Sequence, residues 1–214
     1  ITMAYLESAV VVYLRFLYYP DGFVFPITQV PMHTALVELG REFCTLVMMF
    51  AVAKMAFRKP LHQFAAYMFQ FGVWDIFYYI WLYVFLQWPP SLLTWDILFL
   101  IPVPWIGPVM APVIVSISMI IAALIIVGKE ISGTKIHTTV RHWAAAIAGG
   151  LIIILSFTID FRVVIDQTPP PEHFKWWLFW IGEGIGIAVF IHILVRSKKQ
   201  SDTTPFSDRK RVGD

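Results

Sequence analysis

The feature that most constrains this chain is a charge-free stretch of about 32 residues, Ile97–Gly128, which contains the prolines Pro102, Pro104, Pro108 and Pro112. As one helix it would measure roughly 48 Å at 1.5 Å per residue, whereas the hydrocarbon core of a bilayer is ~30 Å thick. A proline inside a helix removes a backbone donor and clashes with the preceding turn. The prolines therefore predict that the chain breaks there, before a membrane-spanning helix begins.

The rest of the chain is almost as apolar, with 58% hydrophobic, 16% aromatic and 14% charged residues. Such a composition excludes an ordinary soluble domain and predicts an all-α polytopic membrane protein. Residues 1–195 form the predicted transmembrane domain, and residues 196–214 a polar, disordered cytoplasmic tail. The apolar runs predict six spans: Ile1–Tyr19, Thr34–Phe57, Leu61–Trp88, Trp105–Gly128, Trp143–Ile159 and Phe174–Val195.

The segment between the third and fourth spans is too short to cross. We expect Ser91–Val103 to form a short helix that lies in, or dips into, the outer interface, as apolar pieces of roughly 10–14 residues often do. The polar and aromatic residues in this segment and beside it, Trp88, Trp95, Asp96 and Trp105, would lie near that interface, since tryptophan is enriched at headgroup depth.

Basic residues fall mainly on one set of alternating loops. The loop after span two, the loop after span four and the tail hold 12 of the 16 Lys and Arg residues. The opposite loops hold only Arg162 and Lys175. By the positive-inside rule, both ends of the six-span domain lie in the cytoplasm.

Charged residues also occur inside the predicted spans. A charge near the bilayer centre costs at least ~2.5–3.5 kcal/mol, so such residues normally face protein or water and have partners. Glu38, Arg41 and Glu42 share one helical face, because they are spaced at i, i+3 and i+4. We expect one network to join spans one to three, made of Glu7, Arg15, Glu38, Arg41, Glu42 and Asp75.

Acids outnumber bases in these spans, so ion pairing alone cannot satisfy them. Arg15 would pair with Asp75 or Glu38, and Arg41 with Glu7 or Glu42. The remaining acids must be protonated, hydrated or matched by a group outside this chain. The network is therefore a structural ion-pair cluster, a proton- or cation-handling site, or a contact with a partner subunit.

A separate acid, Glu183, lies in span six among closely spaced glycines. Gly182 and Gly186 form a GxxxG face that allows another helix to approach closely. Two roles remain open for this group: helix packing, or an ion site at Glu183.

Motifs for catalysis or metal binding do not occur. The sequence contains no GxSxG, Walker loop, HExxH or CxxC pattern, so we expect neither an enzyme nor a metal site. No cofactor is predicted. The six histidines and the aromatic faces leave a haem or a quinone contact as the alternatives.

Several blocks of the first 130 or so residues resemble those of a family of uncharacterised bacterial integral-membrane proteins. The most specific block runs WDIFYY…WPPSLLTWD…PVPW…GP, within Trp74–Pro112. The resemblance implies a bacterial inner-membrane location, and it implies no activity.

Two functions fit these observations. The first is a non-catalytic accessory or anchoring subunit of a larger, energy-transducing membrane complex, with lipids and other subunits or a second copy as partners and no nucleic acid. The second is a small transporter or channel for protons, cations or a small solute, because interrupted helices often line transport sites.

The predicted orientation can be tested by cysteine labelling. In a Cys44→Ser background, which has no other thiol, an impermeant reagent applied to intact cells should label Gln167→Cys and not Ser201→Cys. The reason is that the basic loops keep the second position in the cytoplasm. Permeabilised cells, in which both positions should react, are the control. Labelling of Ser201→Cys in intact cells would contradict this topology.

Overall fold

The structure is a computed structural model that describes the backbone of residues 1–202 and the side chains of residues 1–197. Within that part, the chain forms seven helices and one two-stranded sheet. The mostly helical fold predicted from the sequence is confirmed. The elements are α1 (Thr2–Tyr18), α2 (Met32–Ala56), α3 (Pro60–Leu86), β1 (Trp95–Phe99), β2 (Trp105–Pro108), α4 (Met110–Ile131), α5 (Val140–Thr158), α6 (Arg162–Ile165) and α7 (Trp176–Asp202).

Four stretches are long and apolar enough to cross a membrane: Pro60–Leu86, Met110–Ile131, Val140–Ile165 and Trp176–Ser197. Helices α1 and α2 are not among them. The first has 17 residues, and the second carries three charges in its first half. Helix α7 continues past the predicted span end to Asp202. The rest of the polar tail predicted over residues 196–214 lies outside the described residues.

The short helix predicted over Ser91–Val103 is wrong. This segment contributes instead to an antiparallel hairpin, in which β1 pairs with β2 in the register Trp95↔Pro108, Asp96↔Gly107 and Ile97↔Ile106. Aromatic and branched residues favour strands, and Pro102 and Pro104 fall in the connecting loop, where a lost backbone donor costs least. Helix α4 accordingly begins at Met110, five residues after the predicted start of span four at Trp105.

The hairpin is joined to its surroundings through backbone groups. The N–H of Val109 donates to the carbonyl of Thr94 (3.0 Å), and that of Met110 donates to Leu92 (2.7 Å). Its Gly107 lies against the rings of Phe157 and Phe174, where an added Cβ would come within 3.2 and 3.3 Å. The hairpin therefore packs against the C-terminal end of α5 and the segment just before α7. We call this end of the molecule the hairpin end.

Close helix contacts occur at glycines. An added Cβ at Gly72 of α3 would lie 2.6 Å from the carbonyl oxygen of Ser116 on α4. The α5–α7 contact is similar, since a Cβ at Gly149 would lie 2.9 Å from the Gly182 oxygen. The small side chain of each glycine allows the helix backbones to approach. Helices α1 and α2 pack against α3.

Substitution at Gly72 tests the α3–α4 contact. Gly72→Ala should destabilise the protein by about 1–3 kcal/mol, because the new methyl group meets backbone rather than a movable side chain. Gly40→Ala and Gly128→Ala are the controls, since a Cβ at either meets nothing within 4 Å. At these two positions alanine should be neutral or stabilising by up to ~1 kcal/mol, because its helix propensity is more favourable than that of glycine by about this amount. Thermal unfolding in detergent measures all three, and equal effects would contradict the packing.

Candidate functional site

A cavity of about 490 Å³ whose lining includes a cluster of charged side chains lies among α1, α2, α3 and the hairpin. We call it the acid-rich cavity. Measured along the helices at 1.5 Å per residue, the charged residues on α2 and α3 lie roughly 9–17 Å from the hairpin end. All six residues of the predicted network line the cavity, and Asp96 joins them, so that the charged lining is Glu7, Arg15, Glu38, Arg41, Glu42, Asp75 and Asp96.

Arg41 links α1 to α2. Its guanidinium forms an ion pair with Glu7 of α1, and it donates to Glu38 of its own helix through Nε (3.0 Å) and Nη2 (2.7 Å). The hydroxyl of Thr45 donates to the other oxygen of Glu7 at 2.5 Å. Glu7 and Glu38 are only 5% and 8% exposed, so these contacts compensate for burial of their charge.

Arg15 links α1 to the hairpin. Its Nη2 lies 3.4 Å from Oδ1 of Asp96, and the hydroxyl of Tyr79 donates to the other Asp96 oxygen at 3.2 Å. The guanidinium carbon also lies 3.7 Å from the ring centroid of Trp88 and 4.4 Å from that of Phe23, a cation–π arrangement. The partner predicted for Arg15, Asp75 or Glu38, is wrong. Burial raises the pKa of Asp96, and the nearby Arg15 opposes that shift.

Two acids of the cavity have no basic partner among the described residues. Glu42 accepts a hydrogen bond from the backbone N–H of Leu100 in the hairpin loop (2.9 Å), and Asp75 accepts one from the hydroxyl of Ser116 on α4 (2.8 Å). A neutral donor orients a carboxylate without neutralising it. The cavity thus holds five acids and two bases, which makes it electrostatically suited to a cation.

Aromatic side chains complete the lining. Tyr18, Tyr19, Trp74 and Tyr78 contribute to the cavity walls beside the charged residues. The indole N–H of Trp74 is buried and has no hydrogen-bond partner among the described residues. Rings beside carboxylates form a surface that favours organic cations, because both attract positive charge.

Asp96 is the charged cavity residue that the predicted network omits. The sequence predicts it near the interface with Trp88, Trp95 and Trp105, and in the structure it is 2% exposed and lines the cavity. The pattern that could have indicated it is the second Trp-Asp pair, since Asp75 also follows a tryptophan. Trp88 covers Arg15, while Trp95 and Trp105 pack against Phe174 and Phe157.

Glu183 lies elsewhere, in an apolar chamber of about 660 Å³ between α3, α4, α5 and α7. Gly182 packs against α5 as its small size suggested. Gly186 does not pack against a helix: it lines the chamber, and an added Cβ would meet nothing within 4 Å.

Three histidines, His62, His142 and His192, lie at the end of the bundle opposite the hairpin. His142 and His192 hydrogen-bond to each other (3.2 Å), and His62 contacts Glu130 (2.8 Å), which also accepts from Lys59. Both ring nitrogens of His142 are engaged, because its Nδ1 also accepts a hydrogen bond from the backbone N–H of Thr139. Within residues 1–197, no group of three or more His, Cys, Asp or Glu side chains could hold a metal ion.

The fold and the site together define a mostly helical protein with four helices apolar enough to cross a membrane. Comparison with protein-family models, curated proteins and solved structures found no match. The resemblance to bacterial integral-membrane proteins therefore stays a prediction.

Substitution of Arg41 tests the ion-pair network. Arg41→Ala leaves Glu7 and Glu38 buried without their base, so it should cost about 3–5 kcal/mol of stability. The double variant Arg41→Ala/Glu7→Gln should recover part of that loss, because one unpaired charge is removed. Thermal unfolding of the purified protein measures both.

Lys59→Ala is the control for this experiment. The side chain of Lys59 is 69% exposed and contacts Glu130, and an exposed ion pair contributes only ~0–1 kcal/mol. A double variant no more stable than Arg41→Ala would contradict the Glu7 pairing.

Proposed function

We propose that this chain is a bacterial inner-membrane protein that binds a small organic cation in its acid-rich cavity and carries it across the membrane. The observation that carries the proposal is the unbalanced charge of that cavity. Two of its acids, Glu42 and Asp75, have only neutral hydrogen-bond donors among the described residues. A bound cation would supply the missing countercharge.

The size and lining of the cavity favour an organic cation. A volume of about 490 Å³ lies within the range of ~300–1,000 Å³ typical of small-molecule sites. The tyrosines and Trp74 offer aromatic faces to a methylated ammonium group, while the carboxylates supply its counterion. A quaternary ammonium such as choline is the simplest probe with this chemistry.

The position of the acids supports this function over an accessory subunit. A partner helix would supply its cations from the outside of the bundle. Glu7, Glu38, Glu42 and Asp96 are each at most 8% exposed and line an internal space. A small ligand that enters the cavity reaches them more readily than a side chain of another subunit does.

An accessory or anchoring subunit is the second candidate, and helix α2 is the observation that favours it. Its face away from α3 exposes Leu36, Val37, Phe43, Phe50 and Met55. Because α2 also carries four charged residues, it is less apolar than the four helices that could cross a membrane unaided. Contact with another subunit would cover this face.

Six membrane spans are part of the proposal. The ion pair of Arg41 with Glu7 satisfies charges on α1 and α2 internally, which would allow both helices to cross beside the other four. Basic residues at the end opposite the hairpin favour a cytoplasmic position for that end.

The experiment uses the purified chain in liposomes with an inside-negative membrane potential. We expect uptake of radiolabelled choline, and Asp75→Asn should reduce it about tenfold or more, since tenfold corresponds to a modest ~1.4 kcal/mol. Asn keeps the size of the side chain and the hydrogen bond to Ser116 while removing the charge.

Asp21→Asn is the matched control, because Asp21 lies in an exposed turn after α1. It should leave uptake unchanged. Absence of choline binding by calorimetry, together with absence of uptake, would contradict the proposal. Stoichiometric co-purification of another chain from native membranes would then support the subunit instead.

A further inference from the structure

The apolar chamber around Glu183 is a second cavity with a different character, and it opens to the outside of the bundle beside the exposed residues Ile121, Ile187 and Ile191. It shares no lining residue with the acid-rich cavity. Its walls are largely aliphatic and aromatic, with Phe64, Met68, Ile153 and Phe190 among them. Among the residues that the structure describes, Glu183 is the one Asp, Glu, Lys or Arg in the lining.

The carboxyl group of Glu183 is buried and incompletely paired. The residue is 5% exposed, and its Oε1 has no hydrogen-bond partner within residues 1–197. A buried carboxylate with an unsatisfied oxygen is unfavourable unless a cation or a donor reaches it. A positively charged or hydrogen-bond-donating group in the chamber would therefore stabilise the Glu183 carboxylate by contacting Oε1.

The depth of Glu183 narrows the choice of ligand. It lies about 10 Å along α7 from the start of that helix at Trp176. The charged headgroup of a phospholipid stays at the membrane surface, above this depth. A molecule whose charge lies within an apolar body can place that charge beside Glu183.

The rest of the lining fits such a molecule. Aromatic rings of Phe64, Tyr67 and Trp143 line the chamber and attract cations through their faces. Gly150 and Gly186 also line it, and an added Cβ at either would meet nothing within 4 Å. At these two positions the absence of a side chain enlarges the chamber rather than bringing helices together.

We infer that this chamber binds a lipophilic organic cation, whose charge pairs with Glu183 and whose apolar body fills the space between α3, α4, α5 and α7. The ligand class differs from the small hydrophilic cation of the acid-rich cavity. The two sites can therefore be tested and can fail separately.

Ethidium is a suitable probe, because it is a planar aromatic cation with N–H donors whose fluorescence rises when it leaves water. We expect the purified full chain to bind it in lipid nanodiscs. Glu183→Gln should weaken binding about tenfold or more, since it removes the charge and keeps the size. The anionic dye 1-anilinonaphthalene-8-sulfonate is the ligand control, and its weak binding should change less than about twofold.

A steric pair of variants supplies an independent test. Gly186→Leu should fill the chamber and weaken ethidium binding about tenfold or more. Gly184→Leu should have no effect, because Gly184 is exposed and does not line the chamber. If Glu183→Gln does not elute as a monodisperse folded protein, this pair decides the question.

Two results would overturn the inference: no ethidium binding by the native protein, or binding by Glu183→Gln and Gly186→Leu within about threefold of the native value. Asp75→Asn separates this site from the acid-rich cavity. It should reduce choline uptake about tenfold or more and leave ethidium binding within about threefold of the native value, so loss of both would contradict two separate sites.

Discussion

The contact between Arg15 and Asp96 is the interaction on which the arrangement of the hairpin end depends. The hairpin and its loop place non-helical backbone next to helices that are apolar enough to cross a bilayer, and inside a bilayer such backbone would be stable only where protein covers it. Arg15 from α1, Glu42 from α2 and Tyr79 from α3 each bind a group of the hairpin or its loop. On the other side, the hairpin packs against Phe157 and Phe174. The hairpin thus contacts both α1–α3 and the α5–α7 pair. Helices α1–α4 and the pair α5 and α7 otherwise have few contacts with each other.

The same requirement explains why the acids collect in one place. A charge inside a bundle is tolerated only beside a partner, and each guanidinium has several donors. Arg41 can therefore bind Glu7 and Glu38 together, and Arg15 can bind Asp96 while its flat faces rest on Trp88 and Phe23. Glu42 and Asp75 are oriented by a backbone N–H and a hydroxyl, which are weaker partners for a full charge. Within one cavity, three acids therefore have a guanidinium partner, and Glu42 and Asp75 have only neutral donors among the described residues.

Much of the fold could be predicted from the sequence, because the length and apolarity of a helix in a membrane are local properties. Helix α3 begins and ends within two residues of its predicted bounds, Leu61 and Trp88. The hairpin could not be predicted in this way, since the prolines indicate a break and not which structure replaces the helix. The pairing of Arg15 with Asp96 joins residues 81 positions apart, and charge spacing along one helix contains no information about that distance. Gly182 and Gly186 show the same limit: their spacing places them on similar faces, yet α5 lies against only the first.

Helix α3 contributes residues to the lining of both the apolar chamber and the acid-rich cavity. Its first half, including Leu61, Phe64 and Met68, lines the apolar chamber, and its second half, including Trp74, Asp75 and Tyr78, lines the acid-rich cavity. Gly72 lies between these halves, where α3 and α4 are so close that a methyl group would meet the Ser116 carbonyl. The side chain of Ser116 in turn donates to Asp75. Ser116 therefore contacts α3 through both its backbone and its side chain, at the point where the linings of the two cavities meet along that helix. The two cavities share no lining residue, and they lie on either side of this one tightly packed contact.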